Sequence, residues 1–107
     1  MTPENVSAII DTVKGTVLPS ERIAMFNKAC AIDPHDTVVI EELSELIKAV
    51  SKINRCHNNR HLKSLMEEIA DVRIVIERIM SKYNIKEDDI DKLVVFKINL
   101  FIDRYGI

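Results

Sequence analysis

The sequence predicts an all-α fold, a bundle of four to five helices in a single domain that covers residues 1–107. The chain has the length of one small domain, and 47% of its residues are hydrophobic and 30% charged, an ordinary globular balance. It contains only two glycines and three prolines, too few for the frequent turns of a β-sandwich. Apolar residues recur at spacings of three and four, as they do on the buried face of a helix.

The first two helices are predicted from signals that open a helix. Thr2-Pro3-Glu4 supplies a capping residue, a proline and an acidic residue, and this helix fades near Gly15. Leu18-Pro19-Ser20-Glu21 repeats the signal for a second helix that runs to about Ala31.

The third helix is predicted to follow Asp33-Pro34-His35-Asp36 and to run to about Asn54. A polar joint, residues 56–59, separates it from a fourth helix that reaches about Tyr83. The last helix begins within residues 86–89 and continues to about Arg104. The acidic run at its start offsets the helix dipole; its members are Glu87, Asp88, Asp89 and Asp91.

Composition narrows the classes of function. The net charge of −2 argues against a stable nucleic-acid partner. Gly15 and Gly106 are far apart, so a glycine loop for phosphates is excluded, and metal ions with side chains would have to bind any phosphate. Cys30 and Cys56 are too few for a disulfide framework, and neither a signal peptide nor a membrane-length apolar run occurs. We therefore expect a cytoplasmic protein with no membrane partner.

Acidic residues lie on helix faces that are otherwise apolar. Glu68 falls inside the apolar arc of the fourth helix, and Asp71 flanks that arc. Glu42 borders the apolar stripe of the third helix, with Glu45 and Glu41 farther round. That stripe consists of Ile40, Leu43, Leu46, Ile47 and Val50. A carboxylate against apolar neighbours is costly unless a cation or hydrogen bonds compensate it, so these positions are the informative ones.

Antiparallel packing across the short joint would bring Glu42, Glu45, Glu68 and Asp71 into one site of four carboxylates. Their mutual repulsion favours a hard divalent cation, because all-oxygen ligands suit Mg²⁺ and Mn²⁺. The alternative is an acidic face in contact with solvent. A di-iron site is less favoured, because such sites use Glu-x-x-His pairs and the partner of Glu68 is an aspartate.

Basic residues supply the opposite charge. Lys97 and Arg104 share an apolar face of the last helix, where they would either clamp phosphate oxygens or cover the core with their stems. Arg55, in a basic stretch around the joint, is a further candidate for phosphate contact. His57 and His61 have a spacing that can bind zinc on a helix, but a joint exposed to solvent explains them more simply.

Two segments carry a family resemblance. Glu41-Glu42-Leu43-Ser44-Glu45-Leu46 and Glu68-Ile69-Ala70-Asp71-Val72 resemble the paired signature of the MazG-like all-α nucleoside triphosphate pyrophosphatases. That signature is Glu-Glu-x-x-Glu followed by Glu-x-x-Asp, and the resemblance spans roughly residues 33–104.

The resemblance implies a Mg²⁺-dependent enzyme, with Mn²⁺ as a substitute, that cleaves a nucleoside triphosphate at the α-β bond through a metal-activated water. The products are the monophosphate and pyrophosphate. By position, Glu42, Glu45, Glu68 and Asp71 are the implied metal ligands, and Glu41 is a supplementary ligand or base.

The resemblance also suggests roles outside the acidic motifs. Lys97 and Arg104 match the basic residues that contact phosphates in the family. His35 stands where relatives often have a glutamine near the base, and Phe26 is the nearest match to their aromatic residue, so both are candidates for the base pocket.

The sequence also gives expectations about the oligomeric state and about alternative functions. The apolar content, together with the small core of a chain this short, suggests a homodimer or homotetramer. A related helical family, the phosphoribosyl-ATP pyrophosphohydrolases, has similar acidic residues and is an alternative activity. The non-enzymatic alternative is a helical interaction module whose acidic residues recruit a basic partner.

Overall fold

The computed structural model describes residues 5–13, 20–30 and 37–106. Over these residues the chain forms five helices and no strand, which confirms the predicted all-α fold. The helices are α1 (Val6–Thr12), α2 (Ser20–Cys30), α3 (Thr37–Arg55), α4 (Asn59–Lys82) and α5 (Glu87–Tyr105). The predicted ends of the last four differ from these by about one residue, within the usual uncertainty of helix boundaries.

The start signals of the first three helices fall largely outside the described residues. This applies to Thr2-Pro3-Glu4, to Leu18-Pro19 and to Asp33-Pro34-His35-Asp36, and also to Gly15. The start of α4 is described and agrees with the predicted joint: the Asn58 side chain accepts the backbone N–H of His61 at 2.8 Å. This bond satisfies one of the backbone donors that a helix start leaves without a partner.

The two ends of α5 are also marked by the sequence. Glu87, Asp88 and Asp89 occupy its first turn, where negative charge opposes the positive end of the helix dipole. Gly106 follows its last turn with φ of 66°, a left-handed conformation that glycine adopts without a steric penalty.

The centre of the fold is a hairpin of α3 and α4. Three residues, 56–58, connect these helices, which pack along each other more extensively than any other described pair. Val39 and Ala49 of α3 are buried together with Val72 and Val75 of α4, and Val75 is only 2% exposed. Helix α2 also packs on α4. The apolar core therefore lies along one face of α4.

Helix α1 lies beside the N-terminal half of α4. The Lys63 ammonium donates a hydrogen bond to the Ser7 hydroxyl at 2.7 Å, and Val6 is buried. A groove between the two helices results from this arrangement.

The apolar stripe predicted for α3 is only partly in the core. The seam of α3 that packs against α4 consists of Val39, Glu42, Leu46, Ala49 and Ile53, all buried or half-buried. The outer seam consists of Ile40, Leu43, Ile47 and Val50, and it is exposed in this chain. The two seams are offset by about one position and both have helical periodicity, so the spacing alone could not say which one faces α4. The prediction that the outer seam faces the core is wrong for the single chain.

Helix α5 buries none of its side chains. It is rich in large apolar residues, which lie on all sides of the helix: Leu93, Val94, Val95, Phe96, Ile98, Leu100, Phe101 and Ile102. A helix that is apolar all round normally lies inside a larger protein core or a membrane. None of the described helices has the length and apolar composition needed to cross a membrane.

The cap at Asn58 makes a testable contribution to stability. Replacing Asn58 with Ala removes the acceptor for the His61 N–H, and we expect a loss of about 1 kcal/mol in the free energy of unfolding. Urea denaturation followed by circular dichroism measures it. Asn58→Asp keeps an acceptor of the same length and should stay close to wild type. An equal loss in both variants would contradict the role of the cap.

Candidate metal centre

Three carboxylates converge between α3 and α4. Glu42 comes from α3, and Glu68 and Asp71 come from α4; one oxygen of each lies within 4.8 Å of the others. All three side chains are half-buried. We call these three residues the acid cluster. Among the described residues, no other group of three or more His, Cys, Asp or Glu side chains is close enough to share a metal ion.

The helical hairpin explains why these three residues meet. Glu68 and Asp71 are three residues apart, so their side chains share one face of α4. Glu42 occupies a position of the α3 seam that packs against that face, between the buried Val39 and the half-buried Leu46. The same packing that buries the apolar neighbours therefore draws the carboxylates together.

Burial is the largest influence on Glu68, and it raises the pKa of that carboxyl above its ordinary value. The negative charge of Asp71 raises this pKa further, followed by the charges of Glu42, Glu45 and Glu67. The charges that raise this pKa are all those of neighbouring carboxylates.

The pKa of the Glu42 carboxyl is also raised above its ordinary value. Burial raises the pKa of its carboxyl most, and the charge of Asp71 raises it next. A hydrogen bond that the protonated Glu42 carboxyl donates to Asp71 adds to the increase, as do the charges of Glu41 and Glu45. The Glu42 carboxyl thus keeps its proton to a higher pH than an isolated glutamate does.

One oxygen of the acid cluster has no partner. The Oε2 atom of Glu68 is buried and accepts no hydrogen bond. A buried carboxylate oxygen without a donor is costly, and in native proteins such an atom calls for an explanation. Since the neighbouring groups are carboxylates, which cannot donate when ionised, a cation is the ligand that this oxygen fits.

Glu45 and Glu41 lie outside the acid cluster. The Glu45 carboxylate pairs with the Lys48 ammonium at 3.3 Å on the surface, although its charge still acts on both Glu42 and Glu68. Glu41 is exposed beside Glu42. Of the four predicted metal ligands, three are brought together, and the fourth lies nearby and faces solvent.

The candidate phosphate-binding residues are not brought to the acid cluster in this chain. Arg55 ends α3, about 20 Å along the helix from Glu42. Lys97 and Arg104 are exposed on α5, which packs extensively on neither α3 nor α4. His61 has a structural contact at the joint, since its ring Nδ1 lies 2.7 Å from the Cys56 carbonyl oxygen.

A small pocket adjoins the acid cluster. Phe26 of α2 lines it together with Glu42 and Asp71, and its volume is about 90 Å³. Val38, Ile74 and Val75 complete its walls. Phe26 thus lies beside the carboxylates. The other candidate for the base pocket, His35, lies outside the described residues.

A larger groove lies on the other side of Asp71, between α1 and α4. Its volume is about 230 Å³, and its surface is almost entirely apolar. The residues that line it are Val6, Ile9, Ile10, Met66, Glu67, Ala70 and Asp71. We call this larger groove the α1–α4 groove. Asp71 lines both the α1–α4 groove and the small pocket, and therefore lies at their junction.

Sequence reasoning missed two polar residues near this region. Arg78, 4% exposed, lies two helical turns beyond Asp71 on the same face of α4. Its position at a spacing of seven from Asp71 was the signal that could have identified it. Asn27, next to Phe26, has a buried Oδ1 atom with no hydrogen-bond partner. A lone asparagine on a short helix gives no sequence signal of that kind.

The raised pKa of Glu68 predicts how the stability of the metal-free protein changes with pH. A carboxyl whose pKa is higher in the folded state holds its proton longer there, so its favourable contribution is complete below its ordinary pKa of 4.5 and is lost as pH rises. Glu68→Gln removes the charge, and we expect a higher unfolding midpoint than wild type at pH 7 in chelator. The difference should shrink towards pH 4.

Glu77→Gln is the matched control for this measurement. Glu77 is nine residues after Glu68, on the opposite face of α4, so its replacement removes one carboxylate from the same helix away from the acid cluster. Scanning calorimetry across pH 4–7 compares the three proteins. A lower midpoint for Glu68→Gln at pH 7, or an equal rise in Glu77→Gln, would contradict the assigned cause.

Comparison of the chain with models of known protein families, with curated proteins and with solved structures finds no match in any of the three.

Proposed function

We propose that this protein is a Mg²⁺-dependent nucleoside triphosphate pyrophosphohydrolase of the MazG-like type, acting on deoxynucleotides or other nucleoside triphosphates. The observation that supports this proposal best is the buried, unpartnered Oε2 of Glu68 within a cluster of three carboxylates. The order of the two acidic motifs along the chain resembles the MazG-like signature, and this resemblance supports pyrophosphohydrolysis as the reaction.

The donor set of the acid cluster fits Mg²⁺. Oxygen ligands lie about 2.1 Å from this ion, so ligands around it are about 3 to 4 Å apart. The three oxygens within 4.8 Å of one another need only a small contraction to reach those positions. Glu45 can join them by leaving Lys48, because both of those side chains are exposed. Mn²⁺ has the same ligand preference.

A bound Mg²⁺ would neutralise triphosphate charge and lower the pKa of a water. Glu42, Glu68 and Asp71 would hold that charge at the end of the pocket lined by Phe26. In the reaction, a water oxygen forms a bond to the α-phosphorus, and the bond from this phosphorus to the oxygen bridging to the β-phosphorus breaks. The water proton passes to a carboxylate, for which the exposed Glu41 beside Glu42 is suited. Pyrophosphate leaves, and no covalent intermediate is needed.

The pocket beside the acid cluster suggests where the base lies. Phe26, which lines this pocket, offers an aromatic face for stacking. We assign Phe26 to base contact within the proposed function.

The functional form would be a homodimer or homotetramer. Helix α5 and the outer seam of α3 both expose large apolar side chains, which a monomer in water does not normally leave uncovered. Association of identical chains is the usual solution in proteins of this size.

Metal binding makes the first prediction from this proposal. Mg²⁺ or Mn²⁺ at a concentration 100 times its Kd should stabilise the folded protein by about 2.7 kcal/mol, a shift of roughly 10 °C in Tm. Glu68→Gln should lose most of this shift, whereas Glu77→Gln should keep it. Thermal unfolding with and without metal measures both. The absence of a shift at millimolar metal, with or without a nucleotide analogue, would favour the interaction-module alternative.

Product identification tests the activity itself. With a panel of dNTPs, noncanonical nucleoside triphosphates and phosphoribosyl-ATP, the wild type should release pyrophosphate only when Mg²⁺ is present. Glu68→Gln should reduce turnover by more than about 100-fold, because it removes a metal ligand from the site, while Glu77→Gln serves as the matched control. Release of orthophosphate, or unchanged turnover in Glu68→Gln, would overturn the proposal. Activity on phosphoribosyl-ATP alone would assign the alternative substrate.

A further inference from the structure

The tip of the α3–α4 hairpin is strongly basic. Residues 46–66 contain five Lys or Arg and no Asp or Glu, although the whole chain has a net charge of −2. Lys52 and Arg55 lie in the last turn of α3, and Arg60 is the second residue of α4. The three-residue joint places all three at the same end of the hairpin, where they are exposed together with His57. We call these four residues the basic tip.

The stability of the two helices accounts for only part of this charge. Cations in the last turn of a helix oppose the negative end of its dipole, so Lys52 and Arg55 stabilise α3. The first turn of α4 is a positive end, where the further cation Arg60 is unfavourable, and it contains no acidic residue. Helix α5 has the opposite arrangement, with three acidic residues in its first turn. The hairpin therefore concentrates positive charge at its tip against the electrostatic preference of α4.

The joint is fixed by contacts that do not use the basic tip. The Asn58 side chain accepts the backbone N–H of His61 at 2.8 Å, and the ring Nδ1 of His61 lies 2.7 Å from the Cys56 carbonyl oxygen. These contacts hold the end of α3 against the start of α4. The basic side chains are thus presented to solvent on a backbone that is already ordered, which lowers the cost of binding a partner.

The surface around the basic tip narrows the kind of partner. Within residues 51–61 no large apolar side chain is exposed, Ile53 is half-buried, and the segment has no aromatic residue. A protein partner normally needs an apolar or aromatic centre in its interface, and a membrane needs apolar side chains that insert beside the charges. Contacts to nucleic-acid phosphates need neither, because cations and neutral donors make them. The exposed amides of Asn54 and Asn59 supply such donors.

We infer that the basic tip binds the phosphate backbone of duplex nucleic acid without reading the bases. Single strands are held largely by stacking of bases on aromatic rings, which the basic tip lacks. Duplex DNA also carries one charge per about 1.7 Å of its axis, a closer spacing than an extended acidic polypeptide can provide.

The inference is independent of the proposed function and limited in strength by the rest of the chain. Arg55 lies about 20 Å from Glu42 along α3, so the basic tip and the acid cluster are separate sites. The remainder of the chain is acidic enough to make the net charge negative, and it opposes the approach of a polyanion. We therefore expect a contact that is sensitive to salt and not a stable complex.

Nuclear magnetic resonance locates the contact and measures its strength. The full chain, labelled with a nitrogen isotope, is titrated with a short DNA duplex in chelator, so that no metal ion can bridge phosphates to the acid cluster. The amide signals of residues 52–61 should shift most. Three cations on phosphates predict a slope of about −2.7 for the logarithm of the binding constant against that of salt. This slope corresponds to a loss of about 40-fold between about 20 and 80 mM salt.

A double variant tests the assignment of the cations. Lys52→Gln with Arg55→Gln leaves one of the three, so the slope should fall to about −0.9 and the loss over the same salt range to about fourfold. The matched control is Lys86→Gln with Lys92→Gln. It changes the net charge by the same amount at exposed positions around the start of α5, and its slope should stay near that of wild type.

The outcomes separate the possible partners. Shifts centred on Lys97 and Arg104, an unchanged slope in Lys52→Gln with Arg55→Gln, or no shift at low salt would overturn the inference. Phosphatidylserine vesicles and polyglutamate are compared with the duplex at equal concentrations of anionic groups. Binding to either that equals binding to the duplex assigns the basic tip to a membrane or an acidic protein and overturns the inference, whereas weaker binding to both supports it. Failure of the proposed function would leave these results unchanged, because neither metal nor nucleotide substrate is present.

Discussion

Packing between α3 and α4 holds like charges together at a cost in stability. Apolar residues such as Val39, Val72 and Val75 lie in the same interface as Glu42 and Glu68, so contact between the helices cannot form without removing the carboxylates from water. Desolvation and repulsion both act against the ionised forms, and the raised pKa values of both glutamates reflect this. A protein selected for stability alone would place leucine at these positions.

The hairpin of α3 and α4 also limits how the desolvation and repulsion of the carboxylates can be relieved. Each carboxylate is on a helix whose direction is set by apolar contacts, so the acid cluster cannot simply open. Protonation relieves the repulsion at low pH, and a cation relieves it at neutral pH. The buried Oε2 of Glu68 favours the cation at neutral pH, because neighbouring carboxylates cannot donate a hydrogen bond to it when they are ionised. The energetic cost of the site and the metal binding that we propose for it would thus have one origin.

Much of this arrangement could be predicted from the sequence, because local rules govern it. The helix boundaries follow from Asn58, from the acidic start of α5 and from Gly106, each of which acts within one turn. The meeting of Glu42 with Glu68 and Asp71 follows from their positions within apolar seams and from the short joint. The features that could not be predicted depend on contacts between residues that are far apart in the sequence. Two apolar seams of α3 have the same period, and only the position of α4 decides between them.

Side-chain conformations at the edge of the acid cluster could not be predicted from the sequence either. Glu45 has the same spacing from Glu42 as Asp71 has from Glu68, yet it pairs with Lys48, since on an exposed surface small differences in energy decide the rotamer. The small pocket at Phe26 depends on α2, whose register against α4 has no signature in either helix alone.

The acid cluster and α5 stay apart within one chain. The acid cluster gathers carboxylates between α3 and α4, whereas α5 exposes apolar and basic side chains and packs on neither α3 nor α4 to any large extent. Exposure of these apolar side chains to water is a cost of the single chain, and the homodimer or homotetramer of the proposed function would relieve it by covering them.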